Sequence, residues 1–88
     1  MIVKYKSSFE KDLIKIGDSS VFEKTKVAIE AIKLATKLSD IQNLKKIKGH
    51  KTAYRIKIGD YRIGFYFTKN ELEFCRILHR KDIYKFFP

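Results

Sequence analysis

Residues 54 to 66 read YRIKIGDYRIGFY, and this stretch decides the fold. Strict period-2 alternation puts Tyr54, Ile56 and Ile58 on one side of a strand and Arg55 and Lys57 on the other. Gly59-Asp60 has the Gly-first order of a type II′ hairpin turn, which pairs Ile58 with Tyr61, Lys57 with Arg62, and Arg55 with Gly64. Two cations then stand opposite one another. Like charges facing across a ladder cost from tenths of a kcal/mol to about 1 kcal/mol, and an anion is the simplest partner to offset that cost. Gly64, lacking a side chain, leaves room beside Arg55 for a ligand to reach the backbone.

Working outward, Lys69-Asn70 is a second turn, so strands 53–58, 61–68 and 71–79 form a meander. Upstream, Ile2 to Lys6 alternates as a short strand. Ser7 and Glu10 form a capping box that opens a helix with Phe9, Leu13 and Ile16 on one face and Gly17 as its stop. A second box, Ser20 with Glu23, opens a longer helix to about Leu38. Its apolar stripe comprises Phe22, Val27, Ile29, Ala31, Ile32, Leu34 and Leu38. Residues 39–52 show no sustained period and read as a basic loop anchored by Leu44 and Ile47. The closing RKDIYKFFP predicts a helical turn docking Ile83, Phe86 and Phe87 on the core. The expected fold class is α+β: a small twisted antiparallel sheet with two N-terminal helices on one face, order β-α-α-β-β-β plus a short C-terminal helical turn. Tyr54, Ile56, Ile58, Tyr61, Ile63, Phe65 and Phe67 meet the helices, while Arg55, Lys57, Arg62 and Tyr66 face outward. Arg76 falls on the helix side by strict alternation; it lies at the sheet margin, paired with Glu73 or Asp40, or the strand bulges.

With 88 residues, the chain makes one small domain, 1–88, burying roughly two-thirds of its unfolded surface. Lys and Arg number 20 against 10 Asp and Glu, and residues 44 to 88 hold +8 of the +10 net charge. That concentration suggests nucleic acid, an acidic protein, or both, although scattered lysines such as Lys4, Lys11, Lys24 and Lys33 read as a solvated surface. The lone Cys75 excludes an internal disulfide and a zinc-finger spacing, and packs as a small apolar residue. The N-terminal MIVKYKSSFEKD lacks the apolar core of a signal peptide and no long apolar run follows, so a cytoplasmic protein without membrane contact is expected.

The run LKKIKGHKTAYRIKIGDYRIGFY, followed one strand later by HRKDIYKFF, resembles the RelE/ParE superfamily of toxins from type II toxin–antitoxin pairs, over essentially the whole chain. Two activities share that fold: one branch cleaves messenger RNA on the ribosome, and the ParE branch poisons DNA gyrase. For the ribonuclease branch the resemblance implies catalytic roles for Arg55, Lys57, Arg62, Arg80 and Tyr84, and RNA contacts for Lys45, Lys46, Lys48, Lys51 and Lys81. Arg55 stands where a lysine is common, the Arg80 to Tyr84 spacing is compact, and the 39–52 loop holds no clear counterpart of the acidic residue of a Glu-His mechanism. Cleavage by the ribose 2′-OH needs a base, cations for the phosphorane and an acid for the leaving oxygen. Arg55 and Arg62 suit the phosphate clamp, Lys57 is the candidate base, and Arg80 or Tyr84 serves the leaving group unless Tyr84 stacks on a nucleobase. Tyr84 with Phe86 and Phe87 equally describes an aromatic packing cluster. His79 is a phosphate ligand, an acid or a polar strand end, and His50 a solvated loop residue. No metal or cofactor is expected. The implied partners are an acidic antitoxin, the ribosome and its message. A gyrase poison or silent toxin acting by protein binding is the alternative, and a plain RNA-binding module fits less well because the outward face lacks several stacking aromatics.

Overall fold

The hairpin forms with the register its alternation implies. In the computed structural model, which describes residues 1–88, β3 (Ala53–Ile58) and β4 (Tyr61–Thr68) pair Ile58 with Tyr61, Lys57 with Arg62, and Arg55 with Gly64. Gly59 supplies the left-handed φ of 58° at the turn. Lys69 and Asn70 both take positive φ, 49° and 63°, the signature of a type I′ turn, and lead into β5 (Glu71–His79).

The sheet has five strands in the order β1-β5-β4-β3-β2 and is mixed, where an all-antiparallel sheet is expected from the sequence. β1 (Ile2–Tyr5) pairs parallel with β5, because two helices separate it from the meander and bring the chain back across the sheet. The expected loop 39–52 contains β2 (Leu44–Lys46), antiparallel to β3. Its anchors diverge: Leu44 packs on the helix side and Ile47 on the other.

α1 (Ser7–Ile16) ends at Gly17 in the left-handed conformation, as expected, with φ 61°. Its predicted capping box is not made. Lys6 is the N-cap without a side-chain bond, and Ser8 instead donates Oγ–H to the Cys75 carbonyl at 2.6 Å. α2 (Ser19–Leu34) is capped by Asp18, not Ser20; the Asp18 carboxylate accepts from the backbone N–H groups of Ser20 and Val21. Those bonds hold its pKa below the ordinary value. α2 also stops at Leu34, short of Leu38, because Ala35 turns extended and Thr36 bonds the Asp40 carboxylate locally. Seven apolar residues made the predicted stripe wider than one helix face can bury. Val21, Thr25 and Ile32 point inward, while Phe22, Val27 and Leu34 are 54%, 65% and 86% exposed.

The main core lies between the helices and one sheet face, where Phe9, Ile32, Ile56, Ile63, Phe65, Leu72, Phe74 and Ile77 interlock. A second, smaller cluster of Ile47, Ala53, Cys75, Ile83 and Phe87 sits on the opposite face under α3 (Ile83–Phe86). Phe86 does not dock as expected; it is exposed. Between Gly64 and Phe65 the β4–β5 register shifts, leaving Cys75 as the bulged residue. The bulge sets Arg76, on the stretch of β5 that β1 leaves free, opposite Gly64, so it faces outward and not to the helix side. Its partner is Asp12 of α1, neither Glu73 nor Asp40: Nε and Nη2 donate to the carboxylate at 2.7 and 3.1 Å, and the Ile77 N–H adds a third bond at 3.1 Å. Asp12 thereby satisfies the edge of β5 where β1 has stopped pairing, and holds the Arg76 pKa above its ordinary value. Burial pushes the Cys75 thiol up, in keeping with a packing role.

Candidate functional site on the outer sheet face

Residues directly opposite in a ladder share a face, so register places the cations. Across the outer face one row runs Lys45, Arg55, Gly64, and the next holds Lys57 and Arg62. Arg80 follows β5 and donates its N–H to the Asp60 carbonyl at 2.8 Å, so it stands at the hairpin tip with Lys57 and Arg62. Tyr84, on α3 over the same face, is 60% exposed.

Other expected members lie apart. Lys46 pairs with Tyr54 and so projects to the helix side at the sheet edge. Lys48 and Lys51 are exposed in the loop before β3, at the far end of that 6-residue strand from the hairpin tip, on the order of 20 Å away. Lys81 is exposed in the turn before α3. His79 accepts the Lys81 N–H through Nδ1 at 3.2 Å and packs edge-on against Tyr61, while His50 is exposed.

The cations are held from below by backbone carbonyls. Arg62 folds back onto its own turn, where Nη1 donates to the Gly59 and Tyr61 carbonyls at 2.8 and 2.9 Å. Arg55 donates from Nη1 to the Asn43 carbonyl at 3.1 Å, and its Nε is buried without a partner. The three ion pairs of the chain are Lys4–Glu71, Arg76–Asp12 and Lys85–Asp82. None of Lys45, Arg55, Lys57, Arg62 or Arg80 belongs to one. The outer face thus carries two like-charged cross-strand pairs, Lys45–Arg55 and Lys57–Arg62, with no carboxylate to neutralise them. Such a surface attracts phosphates and positions them through planar, directional donors.

One expectation fails at Gly64. The space beside Arg55 is filled by the Phe87 ring, which a Cβ on Gly64 would overlap. Phe87 also packs on Tyr66, with centroids 5.1 Å apart. Gly64 is therefore required by the chain's own C-terminal segment. A cavity of about 640 Å³ lies between α2, residues 40–43 and the end of β3, and reaches the candidate set only at Lys57; the cationic face lies outside it.

The sequence of residues 3–84 matches the family model for the ParE toxin of the type II toxin–antitoxin system parDE. This chain belongs to the RelE/ParE superfamily of toxins. Toxin RelE3 from Methanocaldococcus jannaschii is 39% identical to it over 89 residues, spanning 100% of both chains. A solved antitoxin–toxin complex, RelB–RelE from Methanococcus jannaschii, contains a chain 36% identical at a TM-score of 0.81, covering 97% of this toxin and 99% of that chain. The YoeB dimer from Staphylococcus aureus shares the fold at 14% identity and TM-score 0.72, covering 91% of this toxin and 97% of that chain. The mixed five-stranded sheet with its two helices on one face is thus the toxin fold, and no helix of the chain is long and apolar enough to cross a membrane.

Proposed function

We propose that this toxin is a messenger RNA endonuclease that acts on the ribosome, arrests translation in the cytoplasm, and is held silent by an acidic antitoxin. The observation that carries the reading is the unneutralised row Lys45, Arg55, Lys57, Arg62 and Arg80 on an open face. A sheet selected for stability alone has no use for two like-charged cross-strand pairs.

In this reading Arg55 and Arg62 hold the non-bridging oxygens of the scissile phosphate, and their charge meets the charge that grows on the phosphorane. Lys57 is the group placed to accept the proton of the attacking 2′-OH. The bond from the 2′ oxygen to phosphorus forms as the bond to the 5′ oxygen breaks, and Arg80 or Tyr84 stabilises or protonates that leaving oxygen. Lys45 and Lys81 contact neighbouring phosphates; Lys46, Lys48 and Lys51 add diffuse attraction from the sheet edge and loop.

The similarity to a toxin solved in complex with RelB supports an antitoxin partner, and a net charge of +10 favours an acidic one. The test is induction of the toxin alone, with primer extension on translated messages and pulse labelling of protein and DNA. Cuts within translated codons and early loss of protein synthesis are expected. Failure of DNA synthesis first, with intact messages, assigns the toxin to gyrase instead.

A further inference from the structure

We infer that Asn43 positions Arg55, and does so through its backbone conformation, not its side chain. Asn43 has a left-handed φ of 63° immediately before β2. Its carbonyl accepts two hydrogen bonds at once: the Lys57 N–H at 3.1 Å, which extends the β2–β3 ladder by one pair, and Arg55 Nη1, also at 3.1 Å. That is the one hydrogen bond of the Arg55 side chain, whose Nε is buried and unpartnered. The single fixed acceptor selects one orientation for an otherwise flexible arginine. Of the five guanidinium N–H groups, the second on Nη1 and both on Nη2 stay available to an anion on the outer face.

The residue type follows from the conformation. Among side-chain-bearing residues Asn and Asp tolerate left-handed backbone best, and β-branched residues worst. The other left-handed non-glycine residues, Lys69 and Asn70, serve a tight hairpin turn. Asn43 serves no two-residue hairpin; its φ aims a carbonyl where Arg55 and Lys57 converge.

The inference rests on the catalytic role assigned to Arg55, and its test separates the two. The full-length toxin is compared with Asn43→Gly, which keeps the conformation and discards the side chain, and Asn43→Val, which opposes the conformation. Asn43→Ala, with a milder penalty, replaces the valine should that variant not fold. Guanidinium nitrogen spectra should show distinct, slowly exchanging Arg55 Nη signals in wild type and Asn43→Gly and an averaged signal in Asn43→Val. Cleavage on programmed ribosomes should fall on the order of tenfold to a hundredfold in kcat for Asn43→Val, with KM little changed and Asn43→Gly near wild type. Glycine and valine variants equally impaired, or Arg55 signals identical in all three proteins, would overturn the inference. Spectra that follow the prediction in a wild type that cuts no message would instead sink the endonuclease reading and leave the positioning role standing.

Discussion

On the helix side of the sheet, Ile56, Ile63, Phe65, Leu72, Phe74 and Ile77 lie under α1 and α2 at 2% exposure or less. On the other side, five buried residues gather under a helix of 4 residues and share the face with at least four cations. The first face therefore carries the stability that lets the second hold charge. A small domain has a net stability of roughly 5–15 kcal/mol, and facing cations cost up to about 1 kcal/mol a pair. The outer face remains tolerable because the inner one does not share its electrostatic cost.

The widest contrast should come from a core aromatic. Phe74 packs edge-on against Phe9 and Tyr5 and tilted on Phe65. Phe74→Ala should cost about 3–5 kcal/mol, read as a lower urea midpoint, and leave little folded toxin. A loss below about 1 kcal/mol would mean that the outer cluster carries more of the fold than its size suggests.

Arg62→Ala is the complementary experiment on the outer face. Cleavage should fall roughly a hundredfold or more. The melting temperature should hardly move, because two partly exposed bonds to the Gly59 and Tyr61 carbonyls are lost, net about 1 kcal/mol or less, while repulsion from Lys57 is relieved. If the variant unfolds and its folded fraction still cuts at the wild-type rate, Arg62 is a turn brace and the division of labour between faces is wrong.

Gly64 tests the boundary between the faces. A methyl there must displace the Phe87 ring, and overpacking of this kind costs about 1–3 kcal/mol. Gly64→Ala should lower the melting temperature and raise proteolysis after residue 80. An unchanged melting temperature would show that the C-terminal segment yields freely.

What was legible divides along the same line. Period-2 alternation and turn chemistry are local, so residues 53–79 declare three strands and two turns, and the hairpin declares the β3–β4 register and the facing of Arg55, Lys57 and Arg62, whereas the bulge at Cys75 leaves no such mark. β2 is three residues long, too short for any period to show. The parallel pairing of β1 depends on which edge of a distant meander is free, which no local pattern records. In α2 the surplus of apolar residues hid the inward set, and Val21 and Thr25 were missed for that reason. At the site, residue types were readable and support was not: Asn43 contributes a carbonyl, Gly64 an absence filled by Phe87, and Asp12 a partner 64 positions from Arg76. Asn in a basic loop, as a residue that tolerates left-handed backbone, was the one available hint for Asn43.

Thr25 refines the inner face. It is 1% exposed, and its hydroxyl is buried without a hydrogen-bond partner. Thr25→Val keeps the shape and removes the orphan, so stability should rise by up to about 1 kcal/mol, seen as a higher urea midpoint with activity unchanged. A loss instead would reveal a bond that the hydroxyl makes in solution.

The smallest expected effect tests whether the helix face draws any of its stability from charge. Asp18 caps α2 through bonds from Ser20 and Val21, and its folded-state pKa is lowered chiefly by those two backbone bonds, with Lys24 adding a minor attraction. A lowered folded pKa means that the contribution is present above the unfolded carboxylate pKa and is lost as pH falls through the folded one. The carboxylate also faces the positive end of the α2 dipole. Asp18→Ala should therefore melt slightly below wild type at neutral pH, with the gap closing in acid beneath the carboxylate range. Asp18→Asn keeps an acceptor without the charge, so it should retain most of the cap and show no such acid dependence. A gap for Asp18→Ala that persists unchanged in acid would assign the effect to chain propensity, and the cap of α2 would then owe nothing to charge.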